Sequence, residues 1–264
     1  MPTKMNPRRT IKRTLAKVLP RTVYLAINAR IAARDIAAKR RWAPEIEHLP
    51  NFVRSGDIVV DVGGNHGLYT YHLSRLVGPS GRVHTFEPMP PNLKILRYTI
   101  RRHRLSNVTL HPRACSDKAQ RTTFTVPVED GLLGLGGARQ GGEGVPFVCE
   151  IVRLDDVLAG KISFMKIDVE GAELFVLRGA ERIVRESRPV VLFEAGGHTE
   201  EFGYEQQAVF DFLSAFGYRF LSGGFRGRAL EPRRRFTEAE DYFALPEEMA
   251  MALQAGTGKI ECRE

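Results

Sequence analysis

Acidic residues recur at one kind of place in this sequence, where an apolar run gives way to a polar or glycine-containing turn. Asp61 follows Ile58-Val59-Val60, Glu87 follows Phe86, Asp168 follows Ile167, and Glu194 follows Phe193. A carboxylate in such a place can accept from two hydroxyls at once, receive an ammonium group, or take a proton from a hydroxyl. His198, four residues beyond Glu194, adds an imidazole that titrates near neutrality.

The turn after Asp61 is the next signal. Gly63, Gly64, Asn65, His66 and Gly67 precede a segment that reads as a helix from Leu68, and a glycine turn feeding a helix N-terminus exposes backbone N–H groups to a ligand. The spacing is D-x-G-x-x-x-G. The dinucleotide pattern G-x-G-x-x-G fails, because its second glycine is Asn65 and its third is Leu68. An acid at Asp61 would repel a pyrophosphate, whereas S-adenosylmethionine (SAM) would offer its carboxylate to the turn amides and its ammonium group to Asp61. Glu87 is placed to accept both ribose hydroxyls of such a ligand. Farther on, Ala114-Cys115-Ser116-Asp117 forms a small polar turn where an adenine ring could lie, with Asp117 accepting from the exocyclic amine.

These residues need a scaffold. Asp57–Val62, Arg82–Glu87, Val108–His111, Ser163–Asp168 and Pro189–Glu194 read as strands. Leu68–Val77, Asn92–His103, Ala172–Arg185 and Glu205–Phe216 read as helices. The alternation predicts an α/β fold with a doubly wound, mostly parallel, Rossmann-like sheet, in which ligands sit outside the carboxyl ends of the strands. Residues 119–126 and 147–153 read as antiparallel strands around a loop with seven glycines between Gly131 and Gly144, and Arg219–Leu221 and Tyr242–Leu245 as the last two strands.

Charge divides the chain. Residues 1–44 hold twelve Lys or Arg and one acid, Asp35, while the remainder holds slightly more acid than base. Helical apolar spacing at Ile11, Leu15, Val18 and Leu19 is interrupted by Pro20 and resumes at Tyr24, Ile27 and Ile31. Residues 1–50 therefore read as a basic helical arm that packs on the body or is partly disordered, meets an anionic membrane surface, or serves as an organelle transit peptide. Residues 51–248 read as the catalytic domain, and 249–264 as a polar tail. No apolar run has the length of a membrane span or signal-peptide core. Cys115, Cys149 and Cys262 form neither a disulfide framework nor a zinc pattern. A cytoplasmic protein, peripheral to a membrane at most, is expected, with no metal ligand set and no nucleic-acid partner.

The stretch Lys166–Ala180, K-I-D-V-E-G-A-E-L-x-V-L-x-G-A, joins V-D-V-G-x-N-x-G-x-Y-T at Val60–Thr70, F-E-P at Phe86–Pro88 and R-L-D-D-V at Arg153–Val157. Together these motifs resemble the FkbM-type methyltransferases. The resemblance runs from roughly Gly56 to Glu194, and implies a class I methyltransferase fold, SAM as cofactor, and oxygen as the usual methyl acceptor, often on sugars or polyketides. Methyl transfer to a hydroxyl requires a group that orients the oxygen and removes its proton. Asp168 is the first candidate, with Glu194 and His198 as further acceptor-site or base residues. Lys166 should share the strand face of Asp168 and pair with it, and Glu170 and Glu173 should cap the following helix. The competing readings are a nucleic-acid or protein N-methyltransferase, a dehydrogenase, and a non-catalytic nucleotide-binding protein. A nucleic-acid enzyme would favour a basic body and an Asn/Asp-Pro-Pro-Tyr type turn where this chain has Asp-Val-Glu-Gly.

Overall fold

Short runs rich in Val, Ile and Phe are buried on both faces when they form a parallel sheet covered by helices, and this chain is built that way. The computed structural model describes residues 18–129, 132–133, 137, 143–196, 198–223, 230–236 and 240–254. The strands are β1 (Ile58–Val62), β2 (Arg82–Phe86), β3 (Val108–His111), β4 (Ala114–Cys115), β5 (Gln120–Glu129), β6 (Leu132–Leu133), β7 (Gly144–Val152), β8 (Ile162–Ile167), β9 (Val190–Ala195), β10 (Tyr218–Gly223), β11 (Leu230–Arg233) and β12 (Glu240–Pro246). The main sheet has the order β11-β10-β12-β9-β8-β1-β2-β3. Strands β3, β2, β1, β8 and β9 run parallel, whereas β12 is antiparallel to both β9 and β10. The expected doubly wound sheet is present.

Two apolar cores lie on its two faces. One gathers Val60, Met165, Val191 and Ala244 with the helices Glu173–Arg178, Glu181–Glu186 and Gln207–Ala215. The other gathers Val59, Phe164, Val190, Leu192 and Phe243 with the helix Leu68–Val77 and with Ile46, Leu49 and Phe52. The second core shows that the segment after the arm is part of the body. The boundary expected at residue 50 falls inside the short helix Leu49–Phe52.

Several expectations are corrected. Ala172–Arg185 is two helices, because the backbone turns at Gly179 to sit against the carbonyl of Ser116, where a Cβ would stand 2.1 Å away. Ala114 and Cys115 are not a simple turn after β3; they form β4, which pairs with β7 in a second, smaller sheet with β5. Strand β11 was not anticipated, since Leu-Glu-Pro-Arg lacks an apolar run. The helix Arg21–Ala37 buries Leu25, Ala29, Ala32, Ala33 and Ile36, with Tyr24, Ile27 and Ile31 at the margin of that stripe. It packs on the helix Pro90–Arg102 through Ile95 and Tyr98. Residues 249–254 belong to the helix Glu247–Gln254, and Ala250 joins the second core. The arm's first segment, most of the glycine-rich loop and the tail from residue 255 lie outside the described residues. Among the described residues no helix is long and apolar enough to cross a membrane.

Candidate active site

The glycine turn is shaped by close backbone approach. Gly63 has φ +84°, and a Cβ on it would stand 1.8 Å from the carbonyl oxygen of Asp168. Only glycine lets the end of β1 lie against the end of β8. The N–H groups of Gly63 and Gly64 both donate to the Phe86 carbonyl at 3.0 Å, which ties the turn to β2. Gly67, at φ +93°, starts the helix Leu68–Val77, whose N-terminus has no side-chain cap. Those first-turn N–H groups are the donors a ligand carboxylate needs.

Glu87 sits beside this turn and is 3% exposed. Its Oε2 accepts from the Asn65 N–H and its Oε1 from the Met89 N–H, each at 2.8 Å. Burial pushes its pKa up to about 7, against the pull of those hydrogen bonds. The Asn92 side chain is a third hydrogen-bond partner of this carboxylate, which leaves capacity for a further donor. An uncapped helix N-terminus and a fixed carboxylate fit the carboxylate and ribose of SAM. Asp61 is 1% exposed, and its Oδ2 accepts from the Thr70 hydroxyl at 2.6 Å. It braces the turn from within the sheet, so direct contact with a ligand ammonium group is not what this arrangement provides.

The adenine-side residues divide. The Cys115 side chain belongs to the first apolar core and burial raises its thiol pKa well above the ordinary value, so its thiol is not a ligand group. Asp117 is half-buried and its Oδ1 accepts from the Ser116 hydroxyl at 3.2 Å.

Beyond β8 the structure gathers a set of acids around one lysine. In register, Asp61 faces Lys166 across β1 and β8, and Glu194 faces Asp241 across β9 and β12. Side chains alternate along a strand, so Asp61, Lys166, Asp168, Glu194 and Asp241 share one sheet face at one end. Lys166 is 1% exposed, its Nζ donates to Asp168 Oδ2, and it lies 4.6 Å from the centre of the Tyr69 ring. Burial alone would discharge this ammonium; Asp168, Asp241 and Asp61 override burial and raise its pKa. Burial likewise pushes Asp168 up, but the adjacent Lys166 outweighs it and holds Asp168 below the ordinary carboxylate value. Glu194, pressed by burial and by Asp168, is pushed up to about 8 and donates its proton to Asp168 as a hydrogen bond. Asp241 is pushed up to about 7 by burial, with Glu45 and Asp168 outweighing Lys166.

The predicted pairing of Lys166 with Asp168 is therefore observed. Glu173 does not cap the helix Glu173–Arg178, which has no side-chain cap; its Oε1 instead ties down the preceding turn, accepting from the Val169 and Gly171 N–H groups at 3.1 and 3.2 Å. His198 stands apart: its side chain is 56% exposed and its partner is Glu201 at 3.4 Å. Three residues of the site were missed. Tyr69 donates to Glu45 Oε2 at 3.3 Å, and Glu45 shares a hydrogen bond with Asp241. Asp241 stands at the start of an antiparallel strand, which meets the same sheet edge as the ends of the parallel ones. A search confined to residues after strands passes over it. Glu45 arrives from the 3-10 helix Pro44–His48, with no motif around it.

A family model described as the methyltransferase FkbM domain matches residues 61–220. The 31-O-demethyl-FK506 methyltransferase FkbM of Streptomyces tacrolimicus is 33% identical over 161 residues, covering 49% of this chain and 61% of that protein. Methyltransferase 1 of Beauveria bassiana is 28% identical over 145 residues, covering 47% and 58% of the two chains. The crystal structure of the FkbM methyltransferase of Methylobacillus flagellatus KT aligns with a TM-score of 0.48 at 20% identity, over 90% of this chain and 59% of that one. The matched part of this chain thus spans about three-fifths of the length of these relatives.

Proposed function

This chain belongs to the FkbM methyltransferase family and takes S-adenosylmethionine as its cofactor, and we propose that it methylates a hydroxyl oxygen of a sugar, glycan or other small natural product. The observation that carries this reading is the pair Asp168–Glu194 at the ends of adjacent strands, with the Lys166 ammonium donating to Asp168 and holding its pKa down while burial and Asp168 push that of Glu194 up to about 8. The bound cofactor supplies an electrophilic methyl carbon on a positively charged sulfur.

A hydroxyl is a poor nucleophile until its proton has somewhere to go. Asp168, held ionised by Lys166, accepts that proton as the oxygen forms its bond to carbon. Glu194 already holds one proton, so it orients Asp168 through their hydrogen bond and does not compete as the base. The acquired proton then leaves from Asp168, which is 35% exposed, to solvent. Glu87, the turn amides and the N-terminus of Leu68–Val77 are the residues that would hold the cofactor, with Asp117 toward its base. The acceptor would enter on the side of Tyr69, Glu45 and Asp241.

Incubation with methyl-labelled SAM and a panel of hydroxyl-bearing sugars, glycans and polyketide-like alcohols tests the proposal. Label recovered as a methyl ether supports it. Label recovered only on nitrogen, or only in nucleic acid, overturns it.

A further inference from the structure

The arm does not pack on a neutral or acidic part of the body. It lies along the helix Pro90–Arg102, which carries Lys94, Arg97, Arg101 and Arg102 and no acid. Helical periodicity puts Lys94, Arg97 and Arg101 on one exposed stripe, and Arg30 and Arg34 on another. The two helices meet through small and apolar residues, Ala29, Ala32, Ile95 and Tyr98. A groove of about 340 Å³ between them is lined by Arg30, Arg34, Arg102 and His103. Asp35 is the one acid on the two helices, and it is spent on Arg34 and Arg40 at 3.3 and 3.9 Å.

Arg30, Arg34 and Arg102 converge on this groove, which no acid lines, and their mutual repulsion is a cost that Asp35 relieves only at Arg34. Such a cost is recovered when phosphate groups approach both stripes together. We propose that the two helices form one basic docking face for a bilayer containing anionic lipid. The face has no exposed aromatic residue among its described positions, whereas single-stranded nucleic-acid sites interleave cations with aromatic stacking platforms. Exposed Val18 (75%) and Val23 (43%) stand at the arm end of the face, where an interfacial helix would insert apolar side chains.

The test is co-sedimentation of the full chain with phosphatidylcholine vesicles, with and without phosphatidylserine, at low and high salt. Binding should require phosphatidylserine and be lost at high salt. The variant Lys94→Gln/Arg97→Gln/Arg101→Gln leaves the arm's sequence untouched and removes only the body's stripe. A basic residue near an anionic surface contributes about fivefold in partitioning, so the triple variant should bind roughly a hundredfold more weakly. Arg30→Gln/Arg34→Gln should weaken binding in the same sense, and provides a second test if the triple variant fails to fold. Binding of S-adenosylhomocysteine, measured by calorimetry, should stay unchanged in both. Equal sedimentation with both vesicle types, unchanged partitioning of a folded variant, or binding to duplex DNA or RNA without binding to vesicles would each overturn the proposal.

Discussion

Two regions of this molecule concentrate charge of one sign, and they handle it in opposite ways. Around Lys166 the acids Asp61, Asp168, Glu194 and Asp241 are drawn together at one end of the central strands, where burial makes each uncompensated charge expensive. That region lowers its cost by burying one ammonium and by raising the pKa values of Glu194 and Asp241, to about 8 and about 7, so that both take up protons more readily than ordinary carboxyls. On the two-helix face, Arg30, Arg34, Lys94, Arg97 and Arg101 remain exposed, where water and salt screen them and no proton need move. Buried like charge is therefore coupled to protonation and to chemistry, and exposed like charge is left available to a partner.

The contrast makes Asp168→Asn the most damaging single change to function. Loss of a general base typically costs 10²–10⁴ in rate, so turnover at saturating SAM should fall by about that factor while calorimetry shows S-adenosylhomocysteine binding within a few-fold of normal. Near-normal turnover would remove Asp168 from the transfer step. Glu87→Ala should do the reverse and weaken cofactor binding by about 1.5–3 kcal/mol, as expected for hydrogen bonds to a charged group. An unchanged dissociation constant would separate Glu87 from the cofactor site.

Lys166→Met tests whether the buried ammonium keeps Asp168 ionised. Without it the Asp168 pKa should rise, by roughly 1–3 as for loss of an adjacent opposite charge, and the acidic limb of the pH–rate profile should move upward with it. A limb that stays in place would show that Lys166 acts only through packing.

Glu194→Gln should produce a smaller effect, on stability. The folded pKa of Glu194 is raised to about 8 from an ordinary value of 4.5. Its contribution is accordingly present at pH 4 and is lost as pH rises toward 8, where the unfolded chain releases the proton more readily. The glutamine keeps a donor and cannot ionise, so above pH 8 it should unfold later than the native chain, by about 1–2 kcal/mol after allowance for solvent screening. Denaturant titrations at pH 5 and pH 9 that show the same difference would contradict this. The smallest effect belongs to the basic face: Arg30→Gln/Arg34→Gln should change stability by no more than about 0.5 kcal/mol in either direction, and a large loss would mean those side chains serve the fold.

Much of this architecture was legible because it is local. The order of apolar runs, the glycine turn after Asp61 and the string Lys166–Ala180 each act over a few residues, and they sufficed for the doubly wound sheet, the strand–turn–helix at Gly63–Gly67 and the Lys166–Asp168 pair. Gly63 and Gly179 show the limit of such reading: both are visible as glycines, but only the fold reveals that each exists because another backbone, at Asp168 or Ser116, lies where a Cβ would be. Cys115 was placed near the ligand by its position after β3, and the small second sheet turned its side chain into the core instead.

The tertiary structure alone decided which charges meet. Glu45 and Asp241 are 196 positions apart in sequence, and they reach one another because an antiparallel β12 and the segment Pro44–His48 close over the same end of the sheet. The arm and the helix Pro90–Arg102 were each basic in sequence, but their adjacency depended on Ala29 and Ala32 fitting Ile95 and Tyr98. Local pattern fixes what each segment is, because propensity and periodicity act over short range. Electrostatic cost depends on distance in space, and so the protonation of the site and the continuity of the basic face were settled only by packing.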